Sequence, residues 1–370
     1  MSVRIGIVGG YGRVGLEVAG YLLARTSHEV LLGGRALERA TRAAAPLGER
    51  CQGREVDTGD DASLDAFCGA CDVVVNCAGP ATVILDRVAR AALRRGIHYV
   101  DPGGYDPLYA RLRERRGALE RAGLRCVINA GLFPGLSGAY PLHVMKGLDA
   151  VHRLECAFIG RDAWSYGSAY DIAVSLGDFG AEHGPAYCQD GQARRVGLRS
   201  AFKRVELPAP LGAQSPMLVF TEELRLLAEA QKIPAVYGYG TNNGRWTMLA
   251  MVAVKLLRHY RTEKQRMRAA RLIVSASKRD MARGAPCFAI HVEARGLRGG
   301  QEATVGGTWL CGDTYRATGV ITGFAAKLAT EGGLGGPGPR MLHEAVDAGA
   351  LLRELRACGL PGTSALKEAA

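Results

Sequence analysis

The sequence predicts an α/β protein whose first part is a parallel, helix-covered sheet and whose middle is an inserted α+β domain on a largely antiparallel sheet. Three observations carry that prediction. Short β-branched runs alternate with longer Ala/Leu/Arg-rich segments through residue 130, the pattern of βαβ units. After Pro134 the character changes to aromatic and Gly-rich stretches, then to period-two strands such as Cys287–Ala294 and Ala303–Leu310, which imply a sheet with one wet face. A chain of 370 residues is also long enough to divide into two domains.

Strands are expected at Val3–Val8, Glu29–Leu32, Arg54–Asp57, Asp72–Cys77, His98–Val100 and Arg125–Asn129. Helical patterns lie between them at Val14–Ala24, Leu37–Pro46, Ser63–Cys68, Thr82–Arg95 and Pro107–Ala122. Further on, Trp246–Met281 reads as a long or broken helix, Tyr315–Thr330 as a helix before the break Glu331–Pro339, and Leu342–Cys358 as a last helix. Residues 1–132 with 317–370 are expected to form one domain and 133–316 the other, because a helix as long as Tyr315–Thr330 can cross back onto the first sheet.

Composition narrows the function classes. The 48% apolar and 22% charged residues are those of a globular protein. Arg4 and the glycines from Gly9 interrupt the N-terminal apolar run, so it lacks a targeting core. Trp246–Leu257 is too short to span a bilayer and carries Lys255. A soluble, cytoplasmic protein with no membrane partner is expected. The ten cysteines are scattered, and the pair Cys68–Cys71 has no second pair to complete a zinc site. Reduced structural thiols are expected. Eight dispersed histidines contain no HxxxH pair, so no metal is assigned. No Ser/His/Asp or Cys/His arrangement supports nucleophilic hydrolysis. The balance of 47 basic to 36 acidic residues leaves +11, which suits an anionic ligand or an acidic protein partner. Lys255–Arg283 alone holds ten Lys/Arg against Glu263 and Asp280. It reads first as a solvated helix face and second as a docking face for an acidic carrier protein, with nucleic acid the weaker alternative.

The motif with the most specific context is Gly10-x-Gly12-x-x-Gly15, which ends an apolar strand and opens a helix. Gly10 is expected to allow the tight turn, Gly12 to let backbone approach a pyrophosphate, and Gly15 to let helix and strand pack closely. With Tyr11, Arg13 and Val14 this loop would bind a dinucleotide at a helix N-terminus, the mark of a Rossmann domain. The second strand ends in Gly33-Gly34-Arg35 rather than in the carboxylate that would hold a ribose 2′-OH. Gly34 would make room for a 2′-phosphate and Arg35 would pair with it, which points to NADP. Asp57, Cys77, Ala78, Gly79 and Pro80, at the ends of later strands, complete the expected cofactor edge. Asp101, at another strand end, is a candidate for the catalytic group and equally for a cap of the turn Pro102–Tyr105, with Gly103 beside the substrate.

Taken together, these residues resemble the saccharopine dehydrogenase-like reductases. The resemblance rests on the glycine fingerprint, Gly34-Arg35, Asp72–Pro80, Gly96–Asp101, Ala122–Gly131 leading into Pro134-Gly135, and Tyr315–Pro339. It implies hydride transfer to a C=N bond, a substrate site built by the inserted domain, and a homodimer. Relatives that handle amino acids tend to carry an acidic residue immediately before the Pro-Gly, where it helps hold the substrate's amino group. This chain has Phe133 there, so the resemblance implies an apolar or ring-containing imine. The substrate is expected between the two domains, as a free small molecule or tethered to an acidic carrier. Phe133, Trp164 and Arg245 would line it, and Tyr166 or His183 would deliver the proton. Two alternatives stay open: a trans-acting enoyl reductase adding hydride to C=C, and a non-catalytic NADP-sensing or nucleic-acid-binding regulator.

Overall fold

A computed structural model describes residues 3–178, 184–360 and 367–369. Cα packing divides the chain into two compact units, Met1–Ala139 with Tyr315–Cys358, and Tyr140–Thr314 with Gly359–Ala370.

In the first unit the elements run β1 (Arg4–Val8), α1 (Arg13–Arg25), β2 (Glu29–Gly34), α2 (Leu37–Ala44), β3 (Cys51–Glu55), α3 (Asp61–Cys68) and β4 (Val73–Asn76). They continue as α4 (Ala81–Ile84), α5 (Arg87–Arg94), β5 (His98–Val100), α6 (Tyr105–Arg113), α7 (Arg116–Arg121) and β6 (Arg125–Ile128). Helix α8 (Leu136–Met145) follows. Ile5, Ile7, Val30, Leu32, Val74 and Val75 are fully buried, as central strands of a sheet covered on both faces require. Helix α1 buries Gly15, Val18, Ala19 and Leu22, one stripe at helical spacing.

The second unit opens with β7 (Ala150–Arg161) and α9 (Tyr166–Asp178), then β8 (Ala186–Gln189), β9 (Gln192–Arg195), β10 (Val205–Glu206), β11 (Ala213–Gln214), β12 (Met217–Leu218) and α10 (Glu222–Gln231). Next come β13 (Ala235–Asn242), α11 (Arg245–Leu256), α12 (Glu263–Met281), β14 (Cys287–Arg298) and β15 (Gln301–Cys311). The sheet order is β15-β14-β7-β13-β8-β9, antiparallel except for the parallel pair β7–β13. Helices α9, α11 and α12 share an apolar core of Ala169, Tyr170, Ala173, Ala250, Val254, Ala269, Ala270 and Ile273.

The chain then returns to the first unit through α13 (Thr314–Glu331), β16 (Gly338–Met341), α14 (Leu342–Ala345) and α15 (Ala348–Ala357). Strand β16 lies parallel to β6 and completes a seven-stranded parallel sheet in the order β16-β6-β5-β4-β1-β2-β3. The strand order reverses between β1 and β4, the point where an open α/β sheet binds its ligand. Thr322 Oγ1 donates to the carbonyl of Ala130 at 2.7 Å, tying α13 to the end of β6.

Several sequence expectations need correction. The third strand is Cys51–Glu55, earlier than Arg54–Asp57, because the polar run Asp57–Asp60 turns into α3 and caps it: Asp60 accepts from Ala62 N. Two expected helices are each broken in two, at Leu85 (φ 51°) and around Glu114–Arg115. Trp246–Met281 is two helices, and Leu342–Cys358 breaks at Val346–Asp347, where Asp347 caps α15. The Gly/Pro segment before residue 340 ends in the seventh strand, which alternation could not reveal in four residues. The C-terminal strand β17 (Lys367–Ala369) pairs with β15 in the second sheet, so the first unit stops at Cys358.

All ten cysteines are free thiols, eight of them buried. Burial pushes the thiols of Cys51 and Cys68 up to about 11 and that of Cys71 up to about 12, which keeps them protonated and inert. Among the described residues no His/Cys/Asp/Glu group could hold a metal ion, and no helix is long and apolar enough to cross a membrane.

His343, on α14, is buried with neither ring nitrogen hydrogen-bonded. Burial lowers its imidazole from the usual 6.5 to about 4. The unfolded chain therefore binds a proton below pH 6.5 that the folded chain refuses until about pH 4, so stability falls as pH drops through that window. The loss is on the order of 3 kcal/mol for one such group. His343→Leu is expected to flatten the slope of urea-unfolding free energy between pH 6.5 and 4. An unchanged slope would overturn this assignment.

Candidate functional site: a dinucleotide cradle

Between β1 and α1 the backbone makes a tight turn through Gly9, Gly10, Tyr11 and Gly12. The positive φ belongs to Gly9 (75°), not to Gly10, and a Cβ on Gly9 would sit 2.6 Å from Ala78 N in the loop after β4. Gly10 is needed for a different reason. Its Cβ would meet the Leu32 Cα at 2.8 Å, so only a bare backbone can cross the end of β2. Gly15 fits as expected, since its Cβ would lie 2.5 Å from the carbonyl oxygen of Gly9. Gly9 has no place in GxGxxG spacing, and only the strand-end context could have indicated it.

Helix α1 starts from Gly12, with no side-chain cap and no acidic residue in its first turn. Its first N–H groups and the positive end of its dipole are thus left for an anion. Val14 is half-buried behind this turn. Arg13 leans elsewhere: its Cζ is 3.4 Å from the Tyr315 ring centroid on α13.

At the end of β2, Gly34 serves a purpose the sequence did not suggest. Its ideal Cβ would be 2.2 Å from the Tyr11 ring, so the glycine admits that ring rather than leaving room for a phosphate. Arg39 stands over Tyr11, with Cζ 4.8 Å from the ring centroid. Arg35 is exposed and makes no hydrogen bond or ion pair among the described residues. Nearby Arg42 is neutralised by Glu38. Arg35 and Arg39 therefore remain as two cations bracketing the start of α2, whose N-cap Ala36 offers no side-chain acceptor. Arg39 was missed by the sequence reading, although it lies one helical turn after Arg35.

The loop after β4 forms the opposite wall. Cys77 N donates to Val8 O, and Cys77, Ala78 and Pro80 are half-buried while Gly79 is exposed. Burial, with Asp101 nearby, pushes the Cys77 thiol well up, so it is a neutral lining group. Asp57 lies beyond β3, exposed, its carboxylate accepting from Gly59 N at 2.8 Å.

Asp101 is 3% exposed and fully engaged. Its carboxylate accepts from Asn76 Nδ2 (2.9 Å), Tyr99 OH (2.5 Å), Gly103 N (2.8 Å) and Gly104 N (2.9 Å). It acts as the anchor of the turn, and its lone pairs are taken by donors that need them. Gly103 is half-buried in this turn. After β6, Phe133 is 42% exposed, an apolar surface beside Pro134.

In the second unit Trp164, Tyr166 and Arg245 come to one end of the helix layer. Trp164 N donates to Ser277 Oγ on α12 at 3.0 Å. One turn further along α12, Asp280 accepts from Trp246 N (3.0 Å) and from Thr247 N (2.8 Å), capping α11 at its start. Arg245 and Arg279 bracket the Trp246 ring, with Cζ at 5.6 and 3.7 Å from its centroid. Tyr166 opens α9, 40% exposed, 6.3 Å from the Tyr170 ring. His183 lies outside the described residues.

Residues 5–127 match the family model described as the saccharopine dehydrogenase NADP binding domain. This part of the chain thus resembles the NADP-binding domain of the saccharopine dehydrogenases. Its nucleotide is NADP, and the coarse activity that goes with it is NADP-dependent oxidoreduction. No curated protein sequence matches the chain. The whole chain has the fold of the apo saccharopine dehydrogenase (L-Glu forming) of Saccharomyces cerevisiae, at 15% identity, with 100% of each chain covered and a TM-score of 0.70. A short-chain dehydrogenase/reductase of Veillonella parvula in complex with NADP overlaps 27% of this chain and 47% of its own, at 23% identity and a TM-score of 0.25. Serine dehydrogenase from Escherichia coli overlaps 34% of this chain and 80% of its own, at 15% identity and a TM-score of 0.28.

The NADP-binding domain of this chain fits its nucleotide residue by residue. The glycine loop and the open start of α1 would take the pyrophosphate, Arg35 and Arg39 the 2′-phosphate, and Cys77–Pro80 the nicotinamide side. Charge-assisted pairing is worth about 1.5–3 kcal/mol, roughly ten- to hundred-fold in affinity. NADPH is accordingly expected to bind at least ten-fold tighter than NADH, with most of the gap lost in the Arg35→Ala/Arg39→Ala double variant. Titration of both cofactors checks it, and equal wild-type affinities would refute it. In Asp101→Asn the remaining oxygen can keep the Gly103 and Gly104 N–H groups, while the new amide N–H2 faces two groups that donated to the lost oxygen, Asn76 Nδ2 and Tyr99 OH. The substitution should destabilise the domain by about 2–4 kcal/mol, seen as an earlier urea midpoint. A midpoint at the wild-type position would show that the carboxylate is not the turn's anchor.

Proposed function

We propose that the protein is an NADPH-dependent reductase that delivers hydride to the C=N bond of a small or carrier-tethered specialised metabolite. The observation that carries this reading is the pairing of an NADP-binding domain with Phe133, an exposed ring beside Pro134 where relatives acting on amino acids bring a carboxylate. A ring cannot hold an ammonium group as a carboxylate does, so the preferred imine is apolar or cyclic. NADPH, when bound, supplies the hydride from its nicotinamide.

The protein's own residues then have three tasks. The glycine loop and the two arginines hold and orient the dinucleotide at the carboxyl ends of β1, β2 and β4, which converts an encounter of two reactants into a positioned one. The apolar side chain of Phe133, beside Pro134, keeps water from the reacting carbon and strengthens charge interactions there. A proton donor serves the nitrogen as its charge develops. Asp101 is spoken for by four donors and His183 lies outside the described residues, which leaves Tyr166 as the candidate among them, with Arg245 available for a substrate carboxylate.

Purified protein is assayed with NADPH and two substrate sets, cyclic imines and 2-enoyl thioesters. Consumption of NADPH with an imine and none with the thioesters is the expected result. The reverse pattern would make it an enoyl reductase, and consumption with neither set would sink the reading. Tyr166→Phe should lower turnover about hundred-fold while NADPH affinity stays the same, the size of effect that a lost general acid produces. Wild-type turnover in that variant would remove Tyr166 from the mechanism.

A further inference from the structure

The helical hairpin α11–α12 exposes a surface that the reductase reading does not use. Helix α11 buries Thr247, Ala250 and Val254 against its neighbours and turns the opposite stripe outward. That outward stripe is apolar. Leu249 is 52% exposed, Val252 46%, Leu256 75%, and Leu257 beyond the helix end 65%. Residues 249 to 256 at i, i+3 and i+7 span about 10 Å along one helix face, roughly two turns. A monomer's solvated helix would carry polar residues there.

The turn after this stripe and the first turns of α12 are cationic. Arg258, Arg261, Lys264 and Arg268 are exposed, and none has a hydrogen bond or ion pair among the described residues. Lys255 and Arg266 differ, since they donate to the carbonyls of Leu176 and Tyr260. Only two carboxylates lie in the segment. Asp280 is buried under the start of α11, which leaves Glu263 as the one exposed carboxylate of this segment. Four unpaired cations thus rim an apolar stripe.

We propose that this hairpin tip is the docking surface for an acidic amphipathic helix of a partner protein. The stripe would receive the apolar face of such a helix, and the four cations would meet carboxylates along its flanks. Other occupants match one half of the surface only. A second copy of this chain in a two-fold contact would press the same cations together. A nucleic acid would use the cations and leave four aliphatic side chains against phosphate. A bilayer would favour Trp or Tyr in the stripe, which has neither. The start of α11, where Arg245 and Trp246 stand, lies about 18 Å from this tip by the length of the helix. The proposal is independent of the bond that the enzyme reduces.

The test uses the full chain and a fluorescent, stapled helical peptide of about four turns, with Leu along one face and Glu on both flanks. A control peptide carries Lys in place of Glu. The Glu peptide should bind at least ten-fold tighter than the control by anisotropy, and high salt should narrow the gap. The charge-reversed variant Arg258→Glu/Arg261→Glu/Lys264→Glu should invert the preference, and Leu256→Ser should weaken both peptides. NADPH affinity, unchanged in each variant, reports an intact fold. No preference between the peptides, or a charge-reversed variant that behaves like wild type, would overturn the proposal. So would tighter binding to phosphatidylglycerol vesicles or duplex DNA than to the Glu peptide.

Discussion

A buried carboxylate with four donors around it holds the binding edge of the first sheet together. Asp101 sits at the end of β5, yet its partners come from three places: the last residue of β4, the tyrosine two residues back, and two backbone N–H groups of the turn into α6. An unpaired carboxylate at that depth would be costly, and so would two unpaired N–H groups. Each satisfies the other only in one geometry, so the turn and the two strand ends are fixed together. The backbone continues the clamp, with Asp101 N donating to Val127 O and Ala130 N to Asp101 O. The loop Cys77–Pro80 follows directly from Asn76, whose Oδ1 accepts from Ala78 N at 3.3 Å. Gly9 packs its bare Cα against that same Ala78. The position of the glycine cradle thus traces back to this carboxylate.

Much of this was legible in the residues, and the reasons differ by element. Six parallel strands could be read because buried β-branched runs are short, dense and punctuated by glycine. The seventh, Gly338–Met341, could not, because Gly-Pro-Arg-Met has no strand signature and owes its conformation to pairing with β6. Helix breaks at Leu85 and Glu114 are set by packing, which propensity does not see. At the cradle, spacing picks out Gly10, Gly12 and Gly15 and passes over Gly9, where the positive φ falls. The turn falls on Gly9 because the third neighbour in space, Ala78, arrives from a strand seventy residues away. Gly34 likewise reads as empty room until the Tyr11 ring is found in it. Asp101 was visible as a polar residue at a strand end, but its role as anchor depends on Asn76 and Tyr99 pointing inward, which only the fold decides.

In the second unit the sequence conveyed architecture better than chemistry. Period-two alternation over Cys287–Ala294 and Ala303–Leu310 marks a pair of strands that do run antiparallel, from Phe288 opposite Cys311 to Arg298 opposite Gln301. The parallel neighbour β13 escaped because its run, Ala235–Asn242, alternates tyrosine with glycine. One charged group there had no sequence signal at all. Glu155 is buried on β7 and held by Arg153 and Lys203, which keep its carboxyl below the ordinary range although burial pushes the other way. Lys203 comes from the excursion between β9 and β12, so this ion triad pins an irregular segment over the sheet. Trp164, Tyr166 and Arg245 look like scattered aromatic and basic residues in the sequence, and Ser277 and Asp280, two side chains of one helix, hold the backbone at Trp164 and at Trp246 beside them.

The charge balance acquires a physical meaning once it is divided among these places. A net +11 spread evenly over the surface would steer any anion weakly and select none. Part of the excess is neutralised in ion pairs: Arg4 with Glu29, Arg94 with Asp65, Arg111 with Asp86, Arg225 with Glu222 and Glu229. Among the cations with no ion pair, two groups are built differently. Arg35 and Arg39 flank an uncapped helix start, with Arg39 over the Tyr11 ring, a small arrangement suited to one phosphate. Arg258, Arg261, Lys264 and Arg268 spread over a helical turn and border aliphatic side chains, a broad arrangement suited to a surface. A phosphate needs convergent donors and gains nothing from nearby leucine, whereas a protein helix needs apolar contact at the centre and charge at the rim. The same excess of positive charge therefore serves two kinds of recognition, and what distinguishes them is the neighbour each cation keeps.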